Sequence, residues 1–220
     1  MEKKLYGYLH GSGSGGTFVI KFINDNDYTK ENNIPLIISG GGGGKYYGNE
    51  YSYMIENKFF YVKKDYSNAS YTTSGYDNIN YIKTGGINGN GGLGDFSVNN
   101  GYGGGGFYTD GGKKQNDIRN CNGKSFLNGG NGGLKYDYVY NDGGFGGGTA
   151  SFSYSGSGGG YSGGASNSSD ASTLTFNFGY GGGSYCLNTM ENLGYNNGMG
   201  YVNIKYLGQW INILYNIYIL

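Results

Sequence analysis

The sequence predicts an all-β protein, and two observations carry that prediction. Short runs of β-branched and aromatic residues recur along the chain, each bounded by Gly, Asn or Asp, which is how strands read in sequence. Between them lie seven glycine tracts. Apart from the last eleven residues, no segment holds the 3.6-residue apolar period of a helix.

Taken in order, residues 1–16, MEKKLYGYLHGSGSGG, read as a flexible Gly/Ser leader. It carries charge but no apolar core of a secretory signal, so the chain is either intracellular or begins downstream of its true start. A glycine-rich β domain follows over 17–207. Its strands are expected at TFVIKFI (Thr17–Ile23), IPLIIS (Ile34–Ser39), KFFYV (Lys58–Val62), KYDYVY (Lys135–Tyr140), TLTFNF (Thr173–Phe178) and GYVNIKYL (Gly200–Leu207). Period-two alternation puts Phe18, Ile20 and Phe22 on one face, and Val202, Ile204 and Tyr206 on another. An apolar tail closes the chain over 208–220. Its last eleven residues, WINILYNIYIL, fit a helical face through Trp210, Ile213, Leu214 and Ile217. They fit equally a strand face through Ile211, Ile213, Tyr215, Ile217 and Ile219. The tail therefore reads as a last core or edge element, the start of a membrane span, or an interfacial anchor.

The glycine tracts are Gly40–Gly44, Gly85–Gly94, Gly101–Gly106, Gly129–Gly133, Gly143–Gly148, Gly156–Gly164 and Gly179–Gly183. Glycine supplies 49 of 220 residues, against a single proline, Pro35. Collagen is excluded, because glycine does not hold every third position and proline is missing. One tract alone stays disordered: fixing its backbone costs about 1–2 kcal/mol per residue, more than a net hydrogen bond of about 0.5–1.5 kcal/mol returns. Several tracts side by side differ. Without Cβ atoms, extended strands of three residues per turn can approach until each N–H and C=O bonds sideways to a neighbour. The expectation is that the tracts are ordered side by side, with the interleaved strands as the scaffold that aligns them. Aromatics at 17% also argue against disorder.

Chemistry is sparse. IPLIISGGGGGK (Ile34–Lys45) looks like a strand entering a phosphate loop. That motif needs glycine where Ser39 stands and Ser or Thr where Tyr46 stands, and no helix pattern follows. The second Gly-Lys-Ser, Gly123-Lys124-Ser125, has Ile118 where the first glycine belongs. His10 is the only histidine and sits in a glycine-serine leader, so no multi-histidine metal site can form and no histidine-based triad has a credible set of partners. Asp25 and Asp27 sit in turn composition, and the other carboxylates, Asp110 and Asp142 among them, are scattered. No cofactor is expected. Net charge is zero and Arg119 is the only arginine, which argues against nucleic acid. Cys121 and Cys186 permit one disulfide or two free thiols. Asn68 and Asn167 head glycosylation sequons that matter only in a secreted chain.

GTFVIKF, PLIISGGGGGKYYG, SFLNGGNGG, GGFGGGTASFSYSGSGGGYSGG and NNGMGYVNIKYL follow one another between Gly11 and Leu207. In that order they resemble the glycine-rich extracellular region of the anaplastic lymphoma kinase and leukocyte tyrosine kinase receptors. Similar glycine-rich proteins occur widely in protists. The resemblance implies a jelly-roll-like sheet, similar to tumour necrosis factor and either complete or short of some strands, with an inserted bundle of polyglycine-II helices. It also implies a cell-surface or extracellular module that binds a polypeptide or cell-surface ligand. The kinase itself is absent, with no H-R-D or D-F-G motif, so the chain is expected to be no enzyme. Tyrosine-bearing loops at the bundle's end are the expected contacts: Tyr46, Tyr47, Tyr102, Phe107, Tyr108 and Tyr195. A self-associating Gly/Tyr-rich structural protein is the alternative.

Overall fold

The computed structural model describes residues 9–23, 32–47, 66–77, 84–94, 101–113, 115–136, 141–151, 154–166, 178–188 and 217–219. Among them the only helical turn is a short 3-10 segment, Phe126–Asn128. The strands are β1 (Leu9–His10), β2 (Thr17–Phe22), β3 (Asn33–Ser39), β4 (Tyr46–Tyr47), β5 (Tyr185–Cys186) and β6 (Ile217–Ile219). They form a four-stranded antiparallel sheet in the order β5-β3-β2-β6 and a two-stranded pair of β1 with β4. The all-β reading holds at this level.

Strands β2 and β3 fall where the sequence places them. Their register slips between Val19, opposite Ile37, and Ile20, opposite Pro35, leaving Leu36 as the extra residue of a bulge. Proline has no N–H for a ladder, and it sits at the irregularity, beyond the two residues of β3 that pair with β5. Ile217–Ile219 pairs with Val19–Lys21, so this part of the tail is an edge strand, one of the readings its pattern allowed. The expected strands at Lys58–Val62 and Gly200–Leu207 lie outside the described residues. So does most of Lys135–Tyr140 and of Thr173–Phe178.

Phe18, Ile20 and Ile38 turn to one side of the sheet and join Phe107 and Phe126 in the main apolar core. The Phe107 and Phe126 rings stack 5.2 Å apart, and Phe18 lies 5.1 Å from Phe126. Phe126 is held by its turn: the Ser125 hydroxyl accepts from the Asn128 N–H, and Gly129 closes the turn at φ 94°, a conformation suited to glycine.

Glycine segments bonded sideways make up much of the remaining described chain, and in several of them the bonds recur every third residue. Gly41 and Gly44 donate to the Gly159 and Gly156 carbonyls, while Gly43 turns to Ser67. Gly182 and Gly179 donate back to Gly41 and Gly44. Gly13 and Gly16 donate to Thr149 and Gly146. Consecutive residues address different neighbours: Gly103, Gly104 and Gly105 donate to Gly112, Gly164 and Gly147. A β-strand, with its two-residue repeat, cannot do this.

Such contact leaves no room for side chains. A Cβ on Gly16 would lie 2.8 Å from the Gly160 Cα, and one on Gly163 would overlap the Gly104 carbonyl. The slab also corrects an expected boundary. Residues 11–16 of the expected leader are a bonded thread and not a flexible one, because their bonds to Thr149, Gly146, Gly156 and Gly159 tie them to two other segments; residues 1–8 lie outside the described residues.

Two substitution series test this architecture by chemical denaturation. Phe107→Ala is expected to cost about 3–5 kcal/mol, as for a fully enclosed aromatic. Gly163→Ala is expected to cost at least about 1–3 kcal/mol from overpacking. Gly42→Ala, whose added Cβ meets nothing nearer than 3.1 Å, should cost clearly less.

Candidate functional site

Two stretches of the chain share a form: Asn131-Gly132-Gly133-Leu134 and Asp142-Gly143-Gly144-Phe145, each a polar residue, two glycines and an apolar residue. Where bonding repeats every third residue, positions i and i+3 face the same way. The polar and apolar residues of each stretch therefore emerge on one side, and the glycines between them are free to pack.

That packing builds the floor of a cleft of about 450 Å³. Gly143 donates to the Gly133 carbonyl (2.8 Å), Gly133 to Gly148 (2.9 Å) and Leu134 to Asn120 (2.7 Å). Lys124 N–H closes the set on the Asn131 carbonyl at 2.9 Å. Three segments thus lie flush, and the side chains lining the cleft come from their rims: Asn120, Lys124, Asn131, Leu134, Asp142 and Phe145. Phe145 is 55% exposed and Leu134 59% exposed, so both present apolar surface to the cleft.

The charges around the cleft are largely matched. Lys124 Nζ lies 3.0 Å from Asp110 Oδ2. Burial alone would raise the Asp110 carboxyl, but the Ser125 N–H, the Asn128 amide and Lys124 outweigh it and hold it below its ordinary value. Asp142 Oδ1 accepts the Lys135 N–H at 2.7 Å. No hydrogen bond within the described residues engages Asp142 Oδ2 or the side-chain amides of Asn120 and Asn131.

Below Asn120 the same segment is clamped. Arg119 grips Asp117 through Nε (2.7 Å, to Oδ1) and Nη2 (3.0 Å, to Oδ2). The Tyr102 hydroxyl donates to the same carboxylate at 2.7 Å. The guanidinium sits between the Tyr102 and Tyr136 rings, 5.9 and 5.5 Å from their centroids. Burial opposes ionisation of Asp117, but Arg119 and Tyr102 prevail and lower its pKa to about 2. Burial, and then the bond to Asp117, push the Tyr102 phenol far above its ordinary value. The lone arginine of the sequence is thus a clamp that fixes the segment leading into the cleft.

Several expected contact residues are placed elsewhere. Phe107 is 0% exposed and Tyr102 only 4%, so neither is a surface contact: one fills the apolar core, the other closes the Asp117 clamp. Tyr108 is half-buried at the rim, edge-on to Phe107 at 4.9 Å. Tyr46 and Tyr47 form β4 against β1. Tyr195 and Asn167 lie outside the described residues. Asn68 is half-buried, and the Ser70 of its sequon is enclosed and bonded to the Thr72 hydroxyl. The disulfide does not form. Cys121 is enclosed beside Tyr102 and Ala150 in the slab, while Cys186 lies in β5 opposite Ile37, and both thiols are free. Burial also raises the Cys121 thiol, which keeps it protonated.

The cleft lining contains no His, Cys, Ser or Thr, and no group of acidic, His and Cys residues able to hold a metal occurs among the described residues. No helix of the described residues is long and apolar enough to cross a membrane. Comparison with protein families, with curated proteins and with solved structures finds no match to this chain.

The clamp makes a pH prediction. Asp117 has a folded pKa of about 2 against an ordinary 3.8, so the unfolded chain takes up the proton first. Its stabilising contribution is complete above the unfolded value and is lost as pH falls through the folded one. Thermal melts stepped from about pH 5 to 2 should show a drop over that window, and Asp117→Asn should flatten it while lowering stability at neutral pH.

Proposed function

We propose that this chain is a non-catalytic binding or adhesion module of the glycine-rich receptor-ectodomain type, working outside the cell or at its surface. In this reading the glycine segments are extended polyglycine-II helices, and the four-stranded sheet is part of a jelly-roll-like scaffold that aligns them. The observation that carries the proposal is the three-residue recurrence of lateral bonds, as between Gly41–Gly44 and Gly156–Gly159. Polyglycine-II packing has that repeat, and the resemblance of the ordered motifs to those of the receptor ectodomains suggests the functional class. A slab of this kind has little chemistry of its own, and a rigid frame suits presentation of contact groups at low entropic cost.

The ligand on this reading is a polypeptide or another cell-surface molecule, met by tyrosine-bearing loops. Tyr108 belongs to a half-buried aromatic group with Tyr161 and Tyr185, whose rings stack at 4.5 Å. Tyrosines of this kind give large contact area with few rotatable bonds. Neutral overall charge favours a short-range, shape-based contact over electrostatic capture.

Fluorescently labelled whole chain, titrated onto intact animal and protist cells, should bind saturably and be displaced by unlabelled chain. Binding that never saturates on any cell type would defeat the proposal. In sedimentation the chain should run as a monomer, whereas concentration-dependent assembly or gelation would favour a self-associating structural protein. Amide exchange should find Gly104, Gly158 and Gly182 protected to the same degree as β2. Rapid exchange at those glycines would remove the polyglycine frame.

A further inference from the structure

We propose that the cleft between residues 120–124, 131–134 and 142–145 binds a neutral saccharide. The site stands on its own geometry and does not depend on the receptor-type reading or on the tyrosine loops.

Size comes first. A volume of about 450 Å³ falls in the range of roughly 300–1,000 Å³ usual for small-ligand sites. Charge comes next. Lys124 is spent on Asp110 at 3.0 Å, and the remaining ionic group in the lining is the Asp142 carboxylate. Phosphate, sulfate or a nucleotide would meet the Asp142 carboxylate and a single ammonium already shared with Asp110, so the lining offers them no net positive charge. An extended peptide also fits poorly. The N–H groups of Lys124, Gly133, Leu134 and Gly143 are all bonded to neighbouring segments, which interrupts the run of main-chain groups an added strand would need.

What remains on offer matches a sugar. Each hydroxyl of a saccharide both donates and accepts, and so do the amides of Asn120 and Asn131. Asp142 Oδ2 is a charged acceptor with no partner in the described chain, and hydrogen bonds to ionised groups are the stronger kind. Phe145 provides an exposed flat ring, with Leu134 beside it in the lining. The C–H face of a pyranose is apolar and covers such a ring, while its hydroxyls reach the rim. The floor beneath is glycine backbone fixed by lateral bonds, so little ordering is needed on binding.

The test is saturation-transfer NMR on the whole chain with the methyl glycosides of glucose, galactose, mannose and N-acetylglucosamine, and with inorganic phosphate as the anionic probe. At least one glycoside should show transfer concentrated on its C–H face, with a millimolar dissociation constant, and phosphate should show no competition. Phe145→Ala and Asn131→Ala should each weaken binding about tenfold or more, the loss of about 1.4 kcal/mol of contact. Both side chains are exposed, so the melting temperature should stay within a few degrees, and Asp142→Asn is a third variant should either of these unfold. The proposal is overturned if no glycoside shows transfer, if phosphate displaces it, or if binding survives these substitutions unchanged.

Discussion

Backbones that touch backbones set the terms for this molecule. A carbonyl of one glycine segment accepts the N–H of another, and the two lie so close that a methyl group has no place between them. Ordinary domains bury side chains to gain the free energy that offsets chain ordering. Here the interior of the slab has few side chains to bury, so satisfaction of main-chain polar groups and dense contact must supply more of the stability. The apolar core is correspondingly small and sits to one side. Phe18, Ile20 and Ile38 from the sheet meet Phe107 and Phe126 from the glycine segments, and this one cluster joins the two textures of the chain.

Side chains excluded from the slab must emerge where its segments end or bend. The cleft follows from that exclusion. Asn131-Gly-Gly-Leu134 and Asp142-Gly-Gly-Phe145 each present a polar and an apolar group on one side while their glycines pack underneath. Polar groups in such positions face water and need no internal partner. The Asp117–Arg119 pair works differently. It is partly buried, bidentate and capped by the Tyr102 hydroxyl, which is the arrangement that lets a carboxylate remain charged with little exposure to solvent.

The sequence made the sheet legible where alternation is strong. Thr17–Phe22 and Asn33–Ser39 are strands in the expected places, and Phe18 and Ile20 face the core as their spacing requires. It also indicated that glycine tracts would bond sideways in company. Other features escaped. Residues 11–16 look like linker because composition cannot distinguish a loose Gly/Ser thread from one enclosed by neighbours distant in sequence. Phe107 and Tyr102 look like loop tips beside a glycine tract, yet both turn inward, Phe107 into the apolar core and Tyr102 onto Asp117. Arg119 stood out only as the lone arginine, since its partner, two residues earlier, becomes meaningful once Tyr102 closes over both. The cleft left a readable trace in the repeated polar-Gly-Gly-apolar stretches. Seeing it requires a three-residue period, where helix and strand readings look for 3.6 and two.

The sheet brings together segments from opposite ends of the sequence: Val19 lies beside Ile219. A ribosome must therefore deliver some two hundred residues before β2 acquires its second neighbour. Until then one flank of that strand is open to other chains, which is a hazard during synthesis. Pairings so remote also make for slow closure, because the entropy of a long loop is spent before the contact rewards it. Cells that make this protein thus face a late pairing step, and its yield would hinge on how well the nascent glycine threads are kept apart until β6 arrives.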